Sequence, residues 1–165
     1  MNRRTFLLSG AALASMGGLY ALKPSNSEAL AEDEVFEVTY TPQEWRTLLS
    51  PDQYAVLREE ATERPFTSEL LYEKREGTYN CAGCALPLYA SNTKFDSGTG
   101  WPSFYESLPD AVGTRRDFKL FIPRTEVHCR RCGGHLGHIF NDGPPPTGLR
   151  HCINGIAMVF EAQAA

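Results

Sequence analysis

From position 77 onward, apolar residues come in short runs broken every few positions by glycine, proline, asparagine or aspartate. Runs of this length between turn residues predict β-strands at 78–80, 86–90, 118–122, 126–129, 136–140 and 151–160. The segments 92–102 and 141–148 read as loops. Between 41 and 61 the apolar period is helical instead. Thr41-Pro42-Gln43-Glu44 and Ser50-Pro51-Asp52-Gln53 each set a hydroxyl before a proline, with Glu or Gln three residues after the hydroxyl. That is the signature of a capped helix start. Trp45, Leu48 and Leu49 form one apolar face and Tyr54, Leu57 and Ala61 the next. The pattern therefore predicts two short helices covering the edge of an antiparallel sheet, a mainly β fold.

The amino terminus follows neither pattern. Arg3 and Arg4 precede a weakly apolar stretch from 5 to 22, then polar residues, then Ala29-Leu30-Ala31. A charged start, an apolar middle and an A-x-A exit make a secretory signal. The paired arginines resemble a twin-arginine export signal, which implies a periplasmic or other extracytoplasmic protein. The alternative is a retained membrane anchor, which the glycines and serines weaken. The expected organisation is a signal over 1–31 and one domain over 32–165, with 32–37 a loose acidic leader.

Charge and cysteine content narrow the chemistry. Removing 1–31 takes away Arg3, Arg4, Lys23 and Glu28, so the net charge moves from −4 to −6. Nucleic-acid binding rests on neutralising phosphates, so an acidic domain argues against it. The five cysteines are an odd number. Four fall in two C-x-x-C pairs, Cys81/Cys84 and Cys129/Cys132, the spacing of zinc knuckles that together hold one structural Zn²⁺. Iron, two disulfides and a redox C-x-x-C are the alternatives.

Cys152 is left over. A solitary cysteine is commonly a small buried hydrophobe. Here Arg150 and His151 adjoin it, and on a strand Asn154 shares its face. Two further imidazoles, His135 and His138, lie in a glycine-rich run, which suggests redox or nucleophilic chemistry at the thiol. In the loop Asp96-Ser97-Gly98-Thr99-Gly100-Trp101-Pro102-Ser103-Phe104, the two aromatics can be core, or the tryptophan can wall a site for a methyl group.

That loop, the two cysteine pairs, the run from His135 through Pro144 and Gly148-Leu149-Arg150-His151-Cys152-Ile153-Asn154 together resemble the methionine-R-sulfoxide reductase family over about 37–161. The resemblance implies two small antiparallel sheets of the Mss4-like, or β-tent, kind, with short helices and one structural zinc. It implies Cys152 as nucleophile, with His135, His138 and Asn154 around the sulfoxide oxygen and Asp142 supporting the histidine side. Trp101 would wall the methyl group, with Phe104 beside it, and Cys81, Cys84, Cys129 and Cys132 would hold the metal. Oxidised proteins or peptides would be the substrates, a thioredoxin-like thiol the reductant, and a monomer the acting form. Many members carry a resolving cysteine where this chain has Thr99, so the implied recycling route passes through an external thiol. A non-catalytic zinc-ribbon binding module and a cysteine hydrolase, with His138 as base, are the competing classes.

Overall fold

The computed structural model describes residues 34–119 and 123–164. The expected signal over 1–31 lies outside them, as do three residues of the expected strand 118–122. Among the described residues no helix is long and apolar enough to cross a membrane.

Both proline-led helices form. In α1 (Pro42–Leu48) and α2 (Pro51–Glu59) the cap hydroxyl accepts the third-residue N–H, while the Glu44 or Gln53 side chain accepts the cap N–H. Trp45, Leu49, Val56 and Leu57 are buried, but Leu48 is 59% exposed, so the first helix has a narrower apolar face than its sequence suggests. A third helix, α3 (Glu69–Tyr72), is a single turn capped by Ser68.

The rest is antiparallel. Strands β1 (Gly77–Cys81), β2 (Pro87–Ala90), β3 (Lys94–Phe95), β4 (Ser103–Phe104), β5 (Val112–Asp117), β6 (Arg124–Cys129), β7 (His135–Phe140), β8 (Arg150–Ile153) and β9 (Met158–Ala162) make two sheets. The smaller runs β2-β1-β9 and the larger β3-β4-β8-β7-β6-β5. Tyr79, Leu88, Tyr89, Phe104, Val127, Leu136 and Ile153 have no exposed surface and form the centre of the core.

Two strand expectations change. Of the apolar run at 118–122, the described residues 118 and 119 are not strand; β5 ends at Asp117, and Phe118 is exposed. β5 is an edge strand, and exposed edges favour charge over apolar content, which hides such a strand from an apolar-run reading. The run 151–160 is two strands rather than one. A short 3₁₀ turn, Gly155–Ala157, carries the chain from the larger sheet to the smaller.

β8 is central, with β4 on one side and β7 on the other. Gly137 on β7 pairs with Ile153, and a Cβ there would sit 2.0 Å from the Cys152 carbonyl oxygen. The absence of a side chain lets these strands close. Gly137→Ala should therefore cost about 3 kcal/mol or more, the upper range for overpacking. Chemical denaturation checks this, and an unchanged midpoint would show that the strands can part cheaply.

Candidate active site

The two cysteine knuckles have the same backbone. Cys81 O accepts from Ala85 N and Cys129 O from Gly133 N, each at 2.8 Å. Cys81 N donates to Leu86 O and Cys129 N to Gly134 O, again at 2.8 Å. The residue after the second cysteine is left-handed in both, Ala85 at φ 57° and Gly133 at φ 66°. The first knuckle thus places an alanine where glycine is favoured, and Gly83 is not the residue that turns it.

The knuckles meet. All four sulfurs lie within 4.8 Å of one another. Cys81 and Cys132 Sγ are 3.7 Å apart, Cys84 and Cys129 Sγ 3.4 Å. A tetrahedral zinc at ~2.3 Å from each sulfur would set these edges near ~3.8 Å. All four cysteines are free, and both of these contacts join one knuckle to the other, which suits a shared ion rather than two disulfides. The donor set fits a structural Zn²⁺. Arg58 on α2 donates to the Cys132 carbonyl oxygen at 3.0 Å and lies over the Trp45 ring, so both helices cover this cluster.

Cys152 lies apart from the cluster. In the sheet it is opposite Ser103 of β4 and His138 of β7. A cavity of about 130 Å³ opens here, lined by Cys152, His138, Asn154, Trp101, Phe140, Gly137, Thr62 and Arg124. Burial pushes the half-buried Cys152 thiol up, while Thr99 and the Arg150 guanidinium pull it down. His151 faces the other way. Its Nδ1 lies 3.1 Å from the buried Tyr89 hydroxyl, and burial holds it near pKa 4, so it is neutral and gives the thiolate no charge.

Each imidazole near the thiol has its own carboxylate. His138 Nε2 is 2.8 Å from Asp117 Oδ2, which also accepts from Arg124 at 2.5 Å. The Lys119 backbone N–H and then His138 hold Asp117 well below the usual carboxylate range. Burial pushes His138 down, outweighing Asp117, so its neutral ring keeps the proton on Nε2 toward the carboxylate. His135 is buried, with Nδ1 2.7 Å from Glu126 Oε1. Burial opposes the Glu126 carboxylate, but His135 and Arg115 together bring it to about 2.

Three expected placements change. Asp142 does not support the histidines. Its two oxygens hold Arg150 at 2.8 and 2.9 Å, and that guanidinium lies over Phe140. It therefore acts on the cysteine side, through Arg150. Phe104 is not a wall of the cavity; it is fully buried, stacked on Tyr89 with centroids 4.4 Å apart. Phe140 takes that place beside Trp101. His135 does not line the Cys152 cavity but sits behind His138, ring centroids 5.4 Å apart.

The expected sharing of a face by Cys152 and Asn154 does occur. Asn154 is fixed by Nδ2 to the Leu136 carbonyl at 2.9 Å and by Oδ1 to Glu63 N at 3.0 Å. Glu63, which the sequence reading missed, gathers three parts of the site. Its carbonyl accepts Trp101 Nε1 at 3.1 Å, and its carboxylate accepts Gly155 N at 2.5 Å and Ile156 N at 3.0 Å. Asp117 and Glu126 were missed as well. Strand alternation puts Arg124, Glu126 and His128 on one face of β6, and a carboxylate inside a buried strand was the available signal.

The residues 49–162 match the SelR domain model. The chain is 54% identical over 126 residues to the peptide methionine sulfoxide reductase MsrB of Agrobacterium fabrum, spanning 76% of this chain and 93% of the relative. It is 55% identical over 126 residues to the Pseudomonas putida protein of that name, covering 76% and 95% respectively. The Methanosarcina barkeri MsrB is 50% identical over 127 residues, 76% and 89%.

Ligand bonds to a metal are themselves folding energy. Cys129→Ser should therefore release the zinc and unfold the chain, read by metal analysis and circular dichroism together. A zinc-free protein as stable as the parent would remove the structural role of the cluster.

Proposed function

The chain belongs to the SelR-domain family and is a methionine sulfoxide reductase; from that premise we propose that Cys152 attacks the R epimer within oxidised proteins and peptides. The observation that carries this reading is the strand register that sets Cys152 opposite His138 in a small, partly aromatic cavity. About 130 Å³ is room for roughly four waters, the scale of a sulfoxide sulfur with its oxygen and methyl group.

The thiolate is the nucleophile, because a thiol is a poor one. Neutral His138 takes the Cys152 proton and becomes an imidazolium held by Asp117. The Cys152 sulfur then bonds to the sulfoxide sulfur, and the imidazolium protonates the sulfoxide oxygen. The S–O bond and the new S–S bond then break as the hydroxyl passes to the Cys152 sulfur, which is left as a sulfenic acid, and methionine leaves reduced by two electrons. The second N–H of the Asn154 amide is suited to donate to the same oxygen. Trp101 and Phe140 wall the methyl side. Distinct walls for methyl, oxygen and chain select one epimer.

Thr99 stands where a resolving cysteine is familiar in the family, and the other four cysteines form the zinc cluster. Two equivalents of an external thiol, or one dithiol, then reduce the sulfenic acid to thiol and water, leaving the donor as a disulfide. The paired arginines and A-x-A exit support export by the twin-arginine route, with a thioredoxin-like donor outside the cytoplasm.

Without reductant, a peptide carrying the R-sulfoxide should yield one methionine per protein and then stop. The S epimer should yield none, and neither should Cys152→Ser with either epimer. Equal reduction of both epimers would overturn the assignment of the walls. Methionine from Cys152→Ser would overturn the nucleophile.

General acid–base groups typically contribute ~10²–10⁴-fold. His138→Ala should slow single-turnover reduction by about that factor while the melting temperature changes little. An unchanged rate would assign the proton transfer elsewhere.

A further inference from the structure

Beside Cys152 runs a chain of three hydroxyls that this mechanism does not use. Thr99 Oγ1 lies 3.9 Å from Cys152 Sγ. Ser97 Oγ lies 2.8 Å from Thr99 Oγ1 and 2.8 Å from Ser103 Oγ. Ser103 is fully buried, pairs with Cys152 across β4 and β8, and donates to the Trp101 carbonyl oxygen at 3.1 Å.

Each hydroxyl has one proton to donate, which limits the chain to two concerted arrangements. A carbonyl only accepts. When Ser103 donates to Trp101, Ser103 accepts from Ser97 and Ser97 accepts from Thr99. Thr99 then has an oxygen lone pair facing the sulfur, suited to accept from a thiol S–H. In the reversed arrangement Ser103 donates to Ser97, Ser97 to Thr99, and Thr99 donates to the sulfur, suited to a thiolate. The first arrangement also accepts from the O–H of a sulfenic acid.

We propose that Thr99, Ser97 and Ser103 form a reversible hydroxyl relay that keeps Cys152 hydrogen-bonded as thiol, thiolate and sulfenic acid, making all three positioning residues for the reaction. The proposal rests on the reading of Cys152 as the nucleophile. It assigns position 99 a role of its own in a chain without a resolving thiol there. The reversal releases the Trp101 carbonyl whenever the thiolate forms, so the charge on Cys152 is coupled to the backbone of the methyl wall. Other groups also act on this sulfur. Arg150 is on its own strand and is held by Asp142, His138 faces it from β7, and Arg124 enters the cavity from β6. None of these touches the three hydroxyls in the bonds described.

The test is the pH profile of Cys152 alkylation by iodoacetamide, followed on the Cys152 peptide by mass spectrometry in the zinc-loaded protein without sulfoxide. Because it needs no turnover, its failure is separable from failure of the reductase reading, which methionine formation reports. Thr99→Val should move the profile to higher pH and slow alkylation at neutral pH about fivefold, the scale of one net hydrogen bond. Thr99→Ser should keep the parent profile, and Ser97→Ala should move it in the same direction as Thr99→Val. An unchanged profile in Thr99→Val overturns the proposal. So does a Thr99→Ser profile displaced as far as that of Thr99→Val, which would make side-chain volume the cause. An unchanged profile in Ser97→Ala would reduce Thr99 to a lone contact and remove the relay.

Discussion

Four sulfurs within 4.8 Å of one another tie the two sheets together. Cys81 ends β1 of the smaller sheet and Cys129 ends β6 of the larger, so a metal held between them joins sheets that share no strand. Four thiolates at this spacing repel one another strongly unless a cation lies among them, and a dication answers that repulsion at the junction. The consequences run into the site. β7 begins at His135, three residues after Cys132, and therefore leaves the second knuckle with its register set. Gly137 then lets β8 close on it, and His138 comes opposite Cys152. The metal is remote from the chemistry, yet the sheet that aligns nucleophile and imidazole begins at its ligands.

Electrostatics divides the site in two. On the histidine side, ionised Asp117 and Glu126 face two imidazoles and are themselves balanced by Arg124 and Arg115. On the cysteine side, Arg150 supplies positive charge, and Asp142 holds it in place over Phe140. Burial pushes Cys152 toward the thiol and His138 toward the neutral ring. Both shifts favour the uncharged pair at rest, with charge separating when the proton passes between them. The proton can then be passed to the reacting sulfur between two groups that are both uncharged at rest.

What the sequence revealed was local. The C-x-x-C pairs, the two capping boxes and the alternation that joins Cys152 to Asn154 each lie within a few residues, and the structure contains all of them. What it concealed was made by pairing across the chain. Asp117 reaches His138 only because β5, β6 and β7 are neighbours, and β5 itself was hidden because its edge carries charge. Phe104 looked like a binding aromatic because it sits in a glycine-rich loop, but pairing of β4 with β8 turns it onto Tyr89 in the core. Asp142 was placed with the histidines, yet its partner is Arg150, eight residues along the chain and across a turn. Glu63 gave no motif at all, since its contacts to Trp101 and to the stretch from Asn154 through Ile156 come from two segments far from it in the chain.

The central claim is that one sulfur, Cys152, carries the oxygen while the other four hold the metal. Intact mass of the zinc-loaded protein after one turnover on a sulfoxide peptide, with no reductant present, tests it most directly. The account predicts a gain of one oxygen, located by fragmentation on Cys152, with zinc retained. A loss of two hydrogens would mean an internal disulfide, and would contradict both the isolated nucleophile and the four-cysteine metal site.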